Sequence, residues 1–221
     1  RGIRVMDEVM LVDLLRNDRR VVGATALDCQ KMRTVVIKAK ATILATGSFS
    51  QIFSANTVSP QETGDGQAAA FRAGAELIDM ESTQFIAAAT GYLPNSVFLN
   101  AKGERFLERY GITTLEGVDK EALCYAVAKE IKEGGGTERD TIFVDMTGAW
   151  RDGTLPASIL DRIEENLRER GTPYFSLEGT ERFDPRAKPV ETAPLAHTTT
   201  GGVRTNARCE TSVPGLYAAG A

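Results

Sequence analysis

One imidazole, three hydroxyls and two glycines fall together in Ala196-His197-Thr198-Thr199-Thr200-Gly201-Gly202, and His197 is the single histidine of the 221-residue chain. An imidazole titrates near neutral pH and can bind or polarise an anionic group. Neighbouring glycines let a ligand approach the backbone because no Cβ intervenes. His197 with Thr200, Gly201 and Gly202 is therefore a candidate substrate-binding cluster, the alternative being a structural or simply exposed histidine. Two further segments suit a polar cofactor. Thr63-Gly64-Asp65-Gly66 precedes Ala68, Ala69, Ala70, Phe71 and Ala73, which predicts a helix from about residue 67 to Gly74 with Asp65 as its N-cap. The free N–H groups of such a terminus can hold an anion, and Asp65 can accept hydrogen bonds from hydroxyls. Ala45-Thr46-Gly47 closes an apolar run over residues 41–47, a strand end at which a ligand can meet the backbone. An ordinary buried strand with a glycine turn accounts for the same residues.

The elements that must position these groups follow from periodicity. Residues 8–39 read as an antiparallel meander, with strands over 8–16, 20–28 and 34–39 and a turn at Asn17-Asp18. The run 41–47 carries apolar residues on both faces, as in a strand buried between layers. Residues 95–106 suggest a hairpin through Asn100-Ala101-Lys102-Gly103. A helix is predicted over 119–133, capped by Asp119, with Leu123, Ala126, Val127 and Ile131 inward and Gly134-Gly135-Gly136 closing it. A strand follows over 141–146, then a second helix over 156–170 with Ile159, Leu160, Ile163 and Leu167 inward. Pro185, Pro189 and Pro194 mark an extended return. The pattern is a small α+β domain inserted between two parts of a sheet domain.

Composition narrows the function. A formal charge of -4, with 42% hydrophobic and 25% charged residues, fits a globular piece and argues against a nucleic-acid or anionic-membrane surface. No run of about 18 apolar residues occurs, so direct membrane insertion is not expected. Cys29, Cys124 and Cys209 are too scattered for a disulfide framework or a zinc site, and no metal is expected; a reducing, cytoplasmic setting fits. The apolar opening at Ile3 and Val5 and the strand-to-glycine ending at residues 215–221 lead to the expectation of an internal piece of a longer protein.

In order and spacing the chain resembles the flavoprotein subunit family of succinate dehydrogenase and fumarate reductase, which includes L-aspartate oxidase and, more distantly, adenylylsulfate reductase. The resemblance rests on Val21-Val22-Gly23-Ala24, Ile43-Leu44-Ala45-Thr46-Gly47, Thr63-Gly64-Asp65-Gly66 with Arg72-Ala73-Gly74-Ala75, and Asp79-Met80-Glu81 with Gln84-Phe85. It continues through residues 100–110, His197 with Thr200-Gly201-Gly202, and Val213-Pro214-Gly215-Leu216-Tyr217. It implies mixed α/β and α+β architecture: an FAD-binding Rossmann-like domain interrupted by an α+β capping domain. Residues 1–78 would be a partial FAD-binding domain, 79–197 the cap and 198–221 the return. The implied cofactor is FAD, with Ala45, Thr46, Gly47, Gly64 and Asp65 at the cofactor and His197, Thr200, Gly201 and Gly202 at a small anionic substrate. The implied activity is that of an FAD-dependent oxidoreductase in electron transport. Its implied partner is an iron-sulfur electron-transfer subunit, with membrane association made through partner subunits. The competing reading is a non-catalytic flavin-domain relative whose cap serves as an interaction or structural module.

The chain also departs from the pattern. The family's Gly-x-Gly-x-x-Gly turn is absent, so the isolated chain is expected to bind FAD weakly or not at all and to be inactive. Ala221 stands where members usually carry a glutamate that contacts FAD. Ile86 occupies the place of a carboxylate-binding histidine, a substrate loop is deleted between Gly91 and Val97, and Tyr125 falls at the position of a proton-transferring arginine. The resemblance thus makes His197 and Tyr125 the catalytic candidates and leaves dicarboxylate chemistry without most of its side chains.

Overall fold

The computed structural model describes residues 2–87, 95–153, 161 and 188–220. The chain divides into two compact units. Arg1–Ser54, Val58–Gln84 and His197–Ala221 form the first, and Ala55–Thr57 with Phe85–Ala196 the second.

The first unit opens with β1 (Val9–Asn17), β2 (Arg20–Asp28) and β3 (Arg33–Lys38), antiparallel in that order. Met10 pairs with Leu27 and Thr25 with Val36, so the expected meander and its turn are present. Then come β4 (Thr42–Leu44), α1 (Asp65–Arg72) and β5 (Leu77–Ile78). The apolar side chains that α1 buries are alanines: Ala69 and Ala70, with Ala73 just beyond, pack with Leu14, Val21, Ala24 and Leu44. Such small side chains let a helix lie close to strands. The helix ends as expected at Gly74, where Ala75 N–H donates to the Ala70 carbonyl at 2.9 Å. Its start differs. Gly64, in the left-handed region at φ 84°, is the N-cap and supplies no side-chain cap, and Asp65 is already the first helical residue. Gly64 tolerates that backbone angle without a Cβ penalty, which displaces the cap by one position. The strand at 42–44 also differs from a strand buried between layers. Leu44 is buried, but Ile43 is 68% exposed, because among the described residues β4 pairs only with β12 and no element covers its outer face.

The chain passes to the second unit along β6 (Thr83–Ile86) and builds a three-stranded antiparallel sheet, β7 (Val97–Leu99), β8 (Ile142–Asp145) and β9 (Val190–Thr192), in sequence order. The hairpin turn at 100–103 is formed, with Gly103 N–H donating to the Asn100 carbonyl at 2.9 Å. Helix α2 (Lys120–Glu130) is capped by Asp119, whose carboxylate accepts from Ala122 N–H at 2.9 Å. It packs Leu123, Cys124 and Val127 against Phe98, Phe106, Ile142 and Val144. The helix runs on past Glu130 and is broken at Gly134, whose φ of 88° is left-handed. A short helix not anticipated from sequence, α3 (Thr147–Arg151), follows β8, its first residue held by Asp145, which accepts from Thr147 N–H at 2.9 Å and from its hydroxyl at 2.7 Å. Of the helix predicted over 156–170, only Asp161 is among the described residues, and it is helical.

From residue 188 onward the return is extended, as Pro189 and Pro194 suggested, while Pro185 lies outside the described residues. After β9 it forms β10 (Leu195–Thr199), which pairs with β6. Back in the first unit, β11 (Gly202–Val203) pairs antiparallel with β5, and β12 (Leu216–Ala218) lies parallel to β4 with Ile43 opposite Tyr217. The architecture is mixed α/β and α+β, as expected.

Candidate functional site

The parallel pair β4–β12 sets the site. Both strands end on the same side, and a cavity of about 380 Å³ lies there within the first unit. Such a volume falls in the range of ligand sites, about 300 to 1,000 Å³, and carboxyl ends of parallel strands are where open α/β sheets bind ligands. Thr46 and Gly47 line one part, Gly66 and Gln67 at the start of α1 a second, and Thr200, Gly201 and Gly202 a third. Segments about 150 residues apart in sequence therefore share one concave surface.

Two close approaches shape the walls. A Cβ on Gly201 would lie 1.9 Å from the Asp79 carbonyl oxygen, and one on Gly66 would lie 2.0 Å from Thr46 Oγ1. Both residues must be glycine for these segments to meet. Thr200 is fixed by its N–H, which donates to the Ser82 carbonyl at 3.0 Å. The amide of Gln67 spans from α1 to the end of β4, donating from Nε2 to the Gly47 carbonyl at 2.9 Å. Beside it Glu62 braces the turn after β4, accepting from Ser48 N–H at 3.2 Å and from its hydroxyl at 2.6 Å. Neither Gln67 nor Glu62 was singled out from sequence. Gln67 reads as a polar helix residue, and Glu62 lies fourteen positions from its partner, beyond any local pattern.

The remaining candidates lie outside that lining. Ala45 is exposed, Gly64 caps α1, and Asp65 accepts from the Thr63 hydroxyl at 2.6 Å. His197 is exposed on β10, three residues before Thr200. Tyr125 belongs to the second unit, 66% exposed on α2, where its neighbours Leu123, Cys124, Ala126 and Val127 are buried. Ile86 is half-buried at the end of β6.

The second unit holds a buried carboxylate that sequence reasoning missed. Glu130 is 3% exposed and accepts from Asn100 Nδ2 at 2.9 Å, Arg109 Nη2 at 2.8 Å and the Tyr110 hydroxyl at 3.0 Å. The signal was present in the residues 100–110 segment, whose asparagine, arginine and tyrosine are the donors. Burial pushes the Tyr110 hydroxyl well above its ordinary pKa, and its hydrogen bonds to Glu130 and Glu133 add to that rise. Burial likewise raises the Cys124 thiol.

The family model for the FAD binding domain matches residues 1–221. The chain belongs to that family. It is 35% identical over 99% of its length to an uncharacterised FAD-dependent oxidoreductase of Methanocaldococcus jannaschii. It is 34% identical over its whole length to one subunit of the CoM/CoB fumarate reductase of Methanothermobacter marburgensis. It spans about 40% of the length of each. A solved quinol-fumarate reductase with menaquinol superposes with a TM-score of 0.72 at 27% identity, covering 96% of this chain and 39% of that one. Adenylylsulfate reductase of Archaeoglobus fulgidus, at 22% identity and a TM-score of 0.62, shares the fold. The chain is thus a FAD-binding domain homologous to the flavoprotein subunits of fumarate reductases and succinate dehydrogenases, and FAD is the family's cofactor. Among the described residues no helix is long and apolar enough to cross a membrane.

Proposed function

We propose that this chain is part of an FAD-dependent oxidoreductase of the fumarate reductase and succinate dehydrogenase flavoprotein type, and that the cavity beside β4 and β12 takes part of the FAD. One observation carries the reading: three glycine-bearing segments converge at the carboxyl ends of a parallel strand pair around about 380 Å³ of open space. Gly47, Gly66, Gly201 and Gly202 would admit a cofactor against the backbone. Thr46 and Thr200 would add hydroxyls able to donate or accept, and Gly64 and Asp65 would contribute from the start of α1. FAD would supply the hydride or electron transfer, and this chain binding and orientation.

His197 would bind or polarise a small anionic substrate group, supported by its exposure and its place in the segment that runs into the cavity wall. Tyr125 would offer a single hydroxyl where the resemblance expects an arginine. It lacks that residue's charge and forked grip on carboxylates. Ile86 offers no hydrogen bond, so fumarate would be a poor substrate. Two or more lost charge-assisted contacts, at about 1.5 to 3 kcal/mol each, slow a dicarboxylate reaction by at least about two orders of magnitude. Residues 1–78 and 198–221 would act as the flavin domain and 79–197 as its cap. An iron-sulfur subunit would be the electron partner, with any membrane association made through partner subunits.

The test is equilibrium titration of the full-length protein, stripped of flavin, with FAD. Thr205 is exposed and lines the cavity, so Thr205→Trp fills the space without disturbing the core and should weaken FAD at least about tenfold. Unchanged affinity would place FAD elsewhere. His197→Ala should leave FAD content intact while slowing substrate-driven flavin reduction roughly tenfold to a thousandfold, about 1.4 to 4 kcal/mol of transition-state interaction. An unaltered rate would make His197 structural.

A further inference from the structure

Gln67 carries an unmet hydrogen-bonding demand at the cavity. Its side chain is buried, with the residue 9% exposed, and it lines the cavity. Nε2 is committed to the Gly47 carbonyl at 2.9 Å, whereas Oε1 is closed to solvent and has no donor among the described residues. Flipping the amide would only set two acceptors face to face, so the bond to Gly47 fixes which atom is left over. Buried polar atoms are nearly always partnered, and an orphan acceptor is a place where a ligand group is expected.

We infer that Gln67 reads the bound cofactor: its Oε1 accepts a hydrogen bond from an O–H or N–H group of FAD. The inference rests on the reading that this cavity holds FAD. Hydroxyls of the ribityl and ribose parts, the imide N–H and the adenine amino group are the groups of FAD that can donate. A carbonyl or phosphate oxygen presented at the same point would meet an acceptor and be disfavoured, so Gln67 also sets which part of the dinucleotide lies against α1.

The experiment compares full-length wild-type protein with Gln67→Met, which keeps the length and apolar stem but offers neither donor nor acceptor. Two quantities are read: the FAD dissociation constant by titration of the flavin-free protein, and the unfolding midpoint of that flavin-free protein. The expected result is an affinity loss of about tenfold to a hundredfold, with the flavin-free midpoint little changed, because removal of the orphan acceptor offsets the lost hydrogen bond to Gly47. Unchanged FAD affinity in the variant would overturn the inference alone. A flavin-free variant that unfolds early or does not fold would make Gln67 a packing residue and overturn it too. Wild-type protein that takes up no FAD would overturn the underlying reading, and the inference with it.

Discussion

The two units are built by opposite means. In the first, strands and helix come together because side chains are small or missing: the apolar residues that α1 buries are alanines, and at Gly66 and Gly201 a single added carbon would strike a neighbour 2.0 and 1.9 Å away. In the second, bulk fills the centre, with Phe106, Leu123, Val127 and Ile142 fully buried and a carboxylate held among three donors. The first arrangement leaves backbone open beside a cavity, which suits a ligand. The second closes around itself, which suits a support. The first unit should therefore fail when atoms are added and the second when atoms are removed.

The sharpest test of the contrast is Leu123→Ala. It should cost about 3 to 4 kcal/mol, the transfer term plus an unfilled cavity. Denaturant unfolding gives the magnitude, and hydrogen exchange should accelerate in β7, β8 and β9 while β1 to β3 keep their protection. Gly201→Ala should cost about 2 to 3 kcal/mol by forcing the Asp79 backbone aside, with exchange rising in β5 and β11 instead. If the alanine were tolerated, close backbone approach would not define the first unit.

Smaller effects probe the buried carboxylate. Glu130→Gln keeps the shape but gives up the charge-assisted bonds, and about 1 to 2 kcal/mol should be lost. Arg109 is half-exposed, with 54% of its side chain accessible, so water offsets part of its share. Tyr110 gives the smallest signal, a pH dependence. Its folded-state pKa is raised above the ordinary 10.0, by burial first and then by Glu130 and Glu133. The folded state therefore keeps the proton that the unfolded chain releases. The associated stability is complete below about pH 10 and declines as pH rises past it. Unfolding midpoints from about pH 8 to 11 should show that decline, and Tyr110→Phe should flatten it.

What could be read in advance follows the same division. Local patterns carried the meander, the alanine face of α1 and the inward face of α2, because alternation, helical spacing and glycine stops are properties of short segments. The cap of α1 was misplaced by one residue because Gly64 and Asp65 both suit that position and only the backbone angle separates them. The apolar run at 41–47 pointed to burial on two faces, yet hydrophobicity alone cannot say which neighbours will cover Ile43. Thr46, Gly47, Thr200, Gly201 and Gly202 were singled out and do share one cavity. Gln67 and Glu130 escaped notice because a glutamine or glutamate on a helix usually faces water, and only tertiary contacts show that these two do not.

The central claim, that FAD seats in the first unit's cavity, is tested most directly by two thiols in one sample. Cys209 lines the cavity, and Cys29, also exposed, directly follows β2 outside that lining. The full-length protein, stripped of flavin, is alkylated with and without saturating FAD, and the rate at each cysteine is read by mass spectrometry. The account predicts that FAD slows modification of Cys209 by about tenfold or more and leaves Cys29 unchanged. Equal rates at Cys209 with FAD bound would contradict it.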